Sequence, residues 1–386
     1  MSVPPTALRT LVDRYDPSVL DATPGARIRL EVGEEESWDV LVDLDAARLV
    51  RANGQPDALL SADAATWARI AEDLRGGMSA FRARRLTVRR NLHLGVGLLA
   101  ATSGDRRPGR LEFRSLATDV GTLSMLQAGT GDPVVALHGL GGTKISFLTT
   151  VAALAGRFRV IALDLPGFGD SDKPLGAPYD ARFFARSVVA SLDALGLESA
   201  HVVGNSMGGR VALEVGLEHP ERVCRLALLS SSLAWRRERN WASLLRVVRP
   251  ELGLLQVAPR GAVEGVVRRM IPGAHGGWTA AGVDEFLRAY TTPRGRAAFY
   301  AAARQIYLEE PEGEHGFWPR LRMLRVPALF VWGRHDRLVP IAFARHVSEA
   351  LPTARHVELE CGHVPQLERP RETHAAIAEF FGRSDG

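Results

Sequence analysis

Gly204-Asn205-Ser206-Met207-Gly208-Gly209 follows a short apolar run, His201-Val202-Val203, and precedes a helix-like stretch from Arg210 to Glu218. This stretch decides the fold. A serine on a sharp turn between a strand and a helix is held in strained dihedrals and needs small neighbours. Gly204 and Gly208 remove the side chains that would collide with the strand and the helix. The turn then presents the Ser206 hydroxyl above the sheet. The helix beginning there points unpaired N–H groups at any negative charge that develops.

A serine nucleophile at neutral pH needs a base, and the base needs an acid to orient it. Both lie downstream. Leu329 to Gly333 reads as a buried strand, and Arg334-His335-Asp336-Arg337 is the loop leaving it, with Asp336 as the acid. His356 to Leu359 reads as the last strand, and Cys361-Gly362-His363 lies in its exit loop, with His363 as the base. Taken singly, a loop Asp serves as a turn former and a loop His as a solvated side chain. Together with the serine elbow, in the order Ser, Asp, His, they read as a triad.

The charge of a tetrahedral intermediate sits on one oxygen, so backbone amides should face it. The expected donors are the N–H of Met207, next to the nucleophile, and the N–H of Leu140. The latter lies in His138-Gly139-Leu140-Gly141-Gly142, beyond the strand Pro133 to Leu137. That Gly-rich loop lacks the Lys-Ser/Thr ending of a nucleotide-binding loop.

With these residues in place, positions of about Phe113 to Phe381 resemble an α/β-hydrolase. His138-Gly139, the turn Asp164 to Asp172, the Ser206 elbow, Asp336 and His363 stand in family order. The resemblance implies an α/β fold, a mostly parallel sheet flanked by helices, with the triad at the carboxyl ends of strands. Family members that act on halides or epoxides place Asp at the nucleophile, and Ser206 argues against both. Hydrolases that cleave carbon–carbon bonds in ring-cleavage products often share a Gly-Asn-Ser-Met-Gly-Gly elbow. Their oxyanion loop usually has a Gly-Gly-Gly-Pro-Gly character, which Leu140-Gly141-Gly142-Thr143 does not reproduce. The expectation is a serine hydrolase of the esterase or lipase type, acting on a hydrophobic ester or related acyl compound. A C–C hydrolase and an acyltransferase are the alternatives on the same triad. A lipid-binding carrier with a vestigial hydrolase domain is the non-enzymatic one.

At 386 residues the chain exceeds one average domain. A polar stretch from Gly104 to Arg110 marks a linker, giving a first domain at 1–104, a linker at 105–112 and a hydrolase domain at 113–386. In the first domain, Arg27 to Val32 and Trp38 to Leu44 alternate as half-buried strands. Ser61 is expected to cap a helix from Ala62 to Leu74. Leu86 to Arg89 suggests another strand, and Leu92 to Leu99 an apolar helix or strand. The result is a small α+β domain. Its succession Pro56 to Ser61, Trp67, Ser79-Ala80-Phe81 and Leu86 to Leu92 resembles the sterol-carrier-protein lipid-binding domain. A domain that merely packs on the hydrolase explains it as well.

A helix-rich cap insertion is expected at about 234–317, with Trp235, Trp241, Leu244, Val263, Met270, Phe286, Tyr290 and Phe299 among its apolar residues. Such an excess suits an acyl chain, although packing inside the cap accounts for each residue singly. Arg236, Arg237, Arg239, Arg246 and Arg249 could attract an acidic substrate or make transient contact with a membrane surface. A solvated helix face explains them too.

Formal net charge is only +4, and of 48 cationic residues two are lysine, Lys144 and Lys173. This arginine bias carries no nucleic-acid motif, so no nucleic-acid partner is expected. Cys224 and Cys361 form no disulfide framework, and the 11 histidines show no zinc spacing; no cofactor or metal is expected. The start Met1 to Pro5 lacks a charged-then-apolar signal pattern, so a cytoplasmic location is expected. Oligomeric state leaves no mark in the sequence.

Overall fold

The computed structural model describes residues 5–34, 36–72, 80–81, 83–235, 259, 261, 264–265 and 277–383. The chain divides into two compact units. One comprises Met1–Arg114 with His275–Arg288, the other Ser115–Ala274 with Ala289–Gly386.

The first unit is built on a five-stranded sheet, with β1 (Ala26–Val32), β2 (Glu36–Val42), β3 (Ala47–Arg51), β4 (Ala58–Ala62) and β5 (Leu86–Arg89) in the order β3-β2-β1-β4-β5. The β1–β4 pair is parallel; β1–β2, β2–β3 and β4–β5 are antiparallel. Strand alternation sends Ile28, Leu30, Val40, Leu60 and Val88 into one core. Helix α1 (Thr6–Asp13) contributes Leu8 and Leu11 to buried positions, and α2 (Ala64–Glu72) contributes Trp67 and Ile70.

Ser61 is not a helix cap. It lies inside β4, where Ala58, Leu60 and Ala62 take the buried positions, and its hydroxyl donates to Glu31. Asp63 caps instead, accepting the Thr66 N–H at 2.6 Å. Leu74 and Ser79 lie outside the described residues. The ambiguous run after Leu92 is α3 (Leu92–Ala101), capped by Asn91 through the Leu94 N–H at 3.0 Å. It is buried on nearly all sides, and a Cβ on Gly97 would stand 2.4 Å from Leu20. The stretch expected to be a linker is tied down: Arg110 pairs with Asp16 at 2.7 Å and donates to Ser18.

The expected cap is only partly described. Trp241, Leu244, Val263, Met270 and the arginines Arg236, Arg237, Arg239, Arg246 and Arg249 lie outside the described residues. Among its described residues, α7 (Gly277–Tyr290) falls in the first unit as far as Arg288. Its Asp284 and Glu285 are buried there. Asp284 accepts from Arg89 Nε at 2.6 Å and from the Arg90 N–H, and Glu285 accepts from the Leu92 N–H at the start of α3. These two carboxylates fit the grouping, since each accepts from residues of the first unit.

The second unit holds an eight-stranded sheet. Its strands are β6 (Glu112–Thr118), β7 (Gly121–Ala128), β8 (Asp132–Leu137), β9 (Phe158–Leu163), β10 (Ala200–Asn205), β11 (Val223–Leu229), β12 (Ala328–Gly333) and β13 (Arg355–Leu359). The order is β13-β12-β11-β10-β8-β9-β7-β6. From β13 to β9 every pairing is parallel, and β7 runs antiparallel to β9, so the sheet is mixed. The central strands are buried along nearly their whole length, as expected of a parallel sheet covered on both faces. Helices α4 (Leu148–Leu154), α5 (Ala181–Ala194) and α6 (Met207–Glu218) belong to this unit. So do α8 (Pro293–Leu308), α9 (Phe317–Leu321), α10 (Phe343–Ala350), α11 (Pro365–Glu368) and α12 (Pro370–Phe381). No helix among the described residues is long and apolar enough to cross a membrane.

Candidate active site

Strand β10 ends at Asn205 and α6 begins at Met207, leaving Ser206 alone at φ +53°, ψ −116°. A non-glycine residue there is strained, and such strain persists only where the surroundings enforce it. The enforcement is visible. A Cβ on Gly204 would lie 2.2 Å from the Gly208 carbonyl, and one on Gly208 only 2.1 Å from the Leu137 carbonyl. No other residue allows this approach. The backbone of Ser206 is fixed on both sides, its N–H donating to Leu229 and its carbonyl accepting from Ser232, each at 3.0 Å. One turn into α6, buried Arg210 pairs with Glu214 at 2.8 Å and with Glu309.

The loops leaving β12 and β13 bring Asp336 and His363 together. His363 Nδ1 lies 2.8 Å from Asp336 Oδ2, with both side chains largely buried. The other carboxylate oxygen accepts the N–H groups of Leu338 and Val339 at 2.8 and 3.0 Å, so the aspartate cannot swing away. An ionised Asp336 accepts only, so Nδ1 carries the proton and Nε2 keeps its lone pair. His335, by contrast, is exposed and pairs with Glu360.

The loop after β8 folds beside the elbow. A Cβ on Gly139 would touch Ser206 Cβ at 3.3 Å, and Gly142 closes a turn onto the Gly139 carbonyl. The loop is anchored at both ends. His138 lies 2.8 Å from the Gly139 carbonyl through Nδ1 and accepts the Leu165 N–H through Nε2 at 3.0 Å; burial lowers its pKa and keeps it neutral. At the other end Lys144, fully buried, donates to Asp164 at 2.6 Å and to Asp170 at 2.9 Å. Burial alone would raise the Asp164 carboxyl, but the Lys144 ammonium overrides it and holds it below the ordinary value. Leu140 and Met207 thus occupy the loop and the first helical position that flank Ser206.

Three further residues at this site are given no role by the sequence reading. Asn205 donates through Nδ2 to the carbonyls of Leu229 and His363, both at 3.0 Å, stitching the elbow to the histidine loop. Glu368 grips the amides on either side of the histidine, those of Gly362 and Val364, at 2.9 Å each. Ser232 brings its hydroxyl to 3.3 Å from Ser206 Oγ. A carboxylate five residues after a loop histidine is a readable hint for Glu368. Nothing local marks the other two. Burial pushes the nearby Cys361 thiol up to about 12, so it stays protonated at neutral pH. Among the described residues no group of His, Cys, Asp and Glu is arranged to hold a metal ion.

A mostly parallel sheet with Ser, Asp and His on the exits of three of its strands is the architecture of an α/β-hydrolase. Residues 132–370 match the family described as alpha/beta hydrolase fold, and the chain belongs to that family. It is 31% identical over 262 residues to a pimeloyl-[acyl-carrier protein] methyl ester esterase of Aeromonas hydrophila, covering 68% of this chain and 100% of that protein. It is also 28% identical over 283 residues to a 2-hydroxymuconate semialdehyde hydrolase of a Pseudomonas species, covering 67% of this chain and 89% of that protein. Among solved structures, a membrane phospholipase A described as a bacterial virulence factor superposes with a TM-score of 0.60 at 29% identity, covering 70% of this chain and 86% of that one. The protein is therefore a hydrolase of this family.

Proposed function

We propose that the protein cleaves a carboxylic ester or related acyl compound of hydrophobic character through an acyl-enzyme on Ser206. The observation that carries this reading is the buried 2.8 Å bond between His363 Nδ1 and Asp336 beside a serine held at positive φ. In this reaction His363 Nε2 takes the Ser206 proton as Oγ attacks the carbonyl carbon. The Leu140 and Met207 amides receive the oxyanion. His363 returns the proton to the leaving alcohol, and water repeats the sequence with His363 again as base. Asp336 keeps the imidazole in the required tautomer throughout. The esterase among the relatives supports the assignment.

A second reading, C–C bond hydrolysis, is favoured by the elbow Gly204 to Gly209 and by the semialdehyde hydrolase relative. For the first unit we propose a lipid-binding role supplying substrate, supported by the resemblance to the sterol-carrier domain. The experiment is a panel of chromogenic esters of rising acyl length, run beside a ring-cleavage dienoate, on wild type and Ser206→Ala. Turnover of esters that rises with chain length and vanishes in Ser206→Ala fits the first reading. Activity confined to the dienoate overturns it in favour of the second.

A further inference from the structure

The chain leaving β11 does more than terminate a strand. Ser230-Ser231-Ser232 follows Leu229 directly, and Ser230 adopts φ +42°, a second strained residue beside the strained Ser206. This bend returns the backbone onto the elbow. The Leu229 carbonyl accepts from both the Ser206 N–H and the Asn205 side chain, and the Ser232 N–H donates to the Ser206 carbonyl. The main chain of Ser206 is thereby bracketed by this one segment. The Ser232 hydroxyl, half-buried, ends 3.3 Å from Ser206 Oγ.

We propose that Ser232 is a further catalytic residue, donating its hydroxyl hydrogen to Ser206 Oγ whenever that oxygen carries negative charge. The proposal rests on the acyl-enzyme reading above. Ser206 has a single proton, and in the productive arrangement it goes to His363. The bond between the two hydroxyls must then run from Ser232 to Ser206. In deacylation water adds to the acyl carbon and His363 takes its proton. The bond from the carbon to Oγ then breaks with its electron pair left on Oγ, and His363 hands the proton to that oxygen. Ser232 keeps its own hydrogen through every step. It accelerates them because a hydrogen bond to an oxyanion is stronger than one to a neutral hydroxyl, so the gain is larger in the transition state than in the ground state.

The test compares wild type, Ser232→Ala, Ser232→Cys and Ser231→Ala with a chromogenic ester, by stopped flow and at steady state. Every rate is divided by the active-site concentration from end-point titration with a fluorophosphonate, so only folded sites count. Removing one charge-assisted bond should lower both the burst rate and kcat by about 10-fold in Ser232→Ala. The cysteine variant, a weak donor, should fall between alanine and wild type. Ser231→Ala, which removes a hydroxyl that donates to the Ser232 carbonyl at 3.3 Å, should stay within twofold of wild type. Per-site rates within twofold of wild type in Ser232→Ala overturn the proposal, as does an equal loss in Ser231→Ala or a Ser232→Cys rate below that of Ser232→Ala. Ser206→Ala runs in parallel: if it still turns over, the underlying acyl-enzyme reading has failed, and if it is dead while Ser232→Ala is normal, only the Ser232 proposal has.

Discussion

Lys144→Met isolates the buried ion cluster that anchors the loop after β8. In the native protein the ammonium is fully buried between Asp164, also fully buried, and Asp170, whose side chain is 29% exposed. Asp164 accepts the Lys144 and Asp170 N–H groups as well. Removing one partner of a buried pair costs about 3–5 kcal/mol, because the other charge is left uncompensated. For a unit of this size that lowers Tm by roughly 6–20 °C. The pH dependence identifies the cause. Native Asp164 has a depressed pKa, so its contribution is present above the unfolded-state value near ~3.9 and is lost as pH falls through the folded value. In Lys144→Met the ammonium no longer offsets burial and the Asp170 charge, which together outweigh the backbone N–H groups that remain and push that carboxyl up, so the variant takes up a proton on folding and gains stability as pH falls. The gap between native and variant should therefore be widest near neutrality and narrow on acidification. Thermal melts by circular dichroism from pH 8 to pH 5 measure it. Asp164→Asn in the Lys144→Met background should recover most of the loss, giving a large coupling energy. A gap under about 1 kcal/mol, or one that does not change with pH, refutes the argument.

Asp336→Asn should remain folded and lose about 10⁴-fold in kcat by favouring the wrong imidazole tautomer. Asp172→Asn, whose carboxylate accepts the Thr122 N–H, should alter loop shape with far smaller loss. Equal inactivation of both folded variants, measured with one soluble ester, would assign the acid wrongly. A chain beginning at Arg110 should keep hydrolysis of short esters while α7 loses the partners of Asp284 and Glu285. Limited proteolysis should then cut within 277–288 much faster than in the whole chain, and undiminished protection there would contradict the grouping of α7 with the first unit. If the first unit supplies lipid, the same truncation should slow long-chain esters selectively.

The second unit is legible in the sequence because its information is local. β8, β10 and β12 each carry a short apolar run, β13 is a short, partly exposed strand, and the residues that leave these strands carry glycine, Ser206, Asp336 or His363 within a few positions. A strained elbow also advertises itself, since only glycine tolerates contacts near 2 Å with backbone. What stays hidden is held by long-range pairing. Asn205 reads as one more elbow residue until its amide is found on the His363 carbonyl, 158 positions away. Ser232 lies 26 positions from Ser206 and gains meaning only through the bend at Ser230. Asp284 and Glu285 carry no local signal, yet they are buried and bonded to Arg89 and to the start of α3, so the insertion cannot be divided from sequence alone. Ser61 and Asp63 are both good caps. The choice falls to Asp63 because the alternation of β4 continues through Ala62.

The central claim is a covalent acyl group on Ser206. Acid-quenching the enzyme during turnover of a hydrophobic nitrophenyl ester, then mapping adducts by peptide mass spectrometry, tests it directly. The account expects the acyl mass on the peptide containing Ser206, its replacement by a fluorophosphonate adduct at the same residue, and neither in Ser206→Ala. An adduct on another side chain, or full ester turnover by Ser206→Ala, would contradict it.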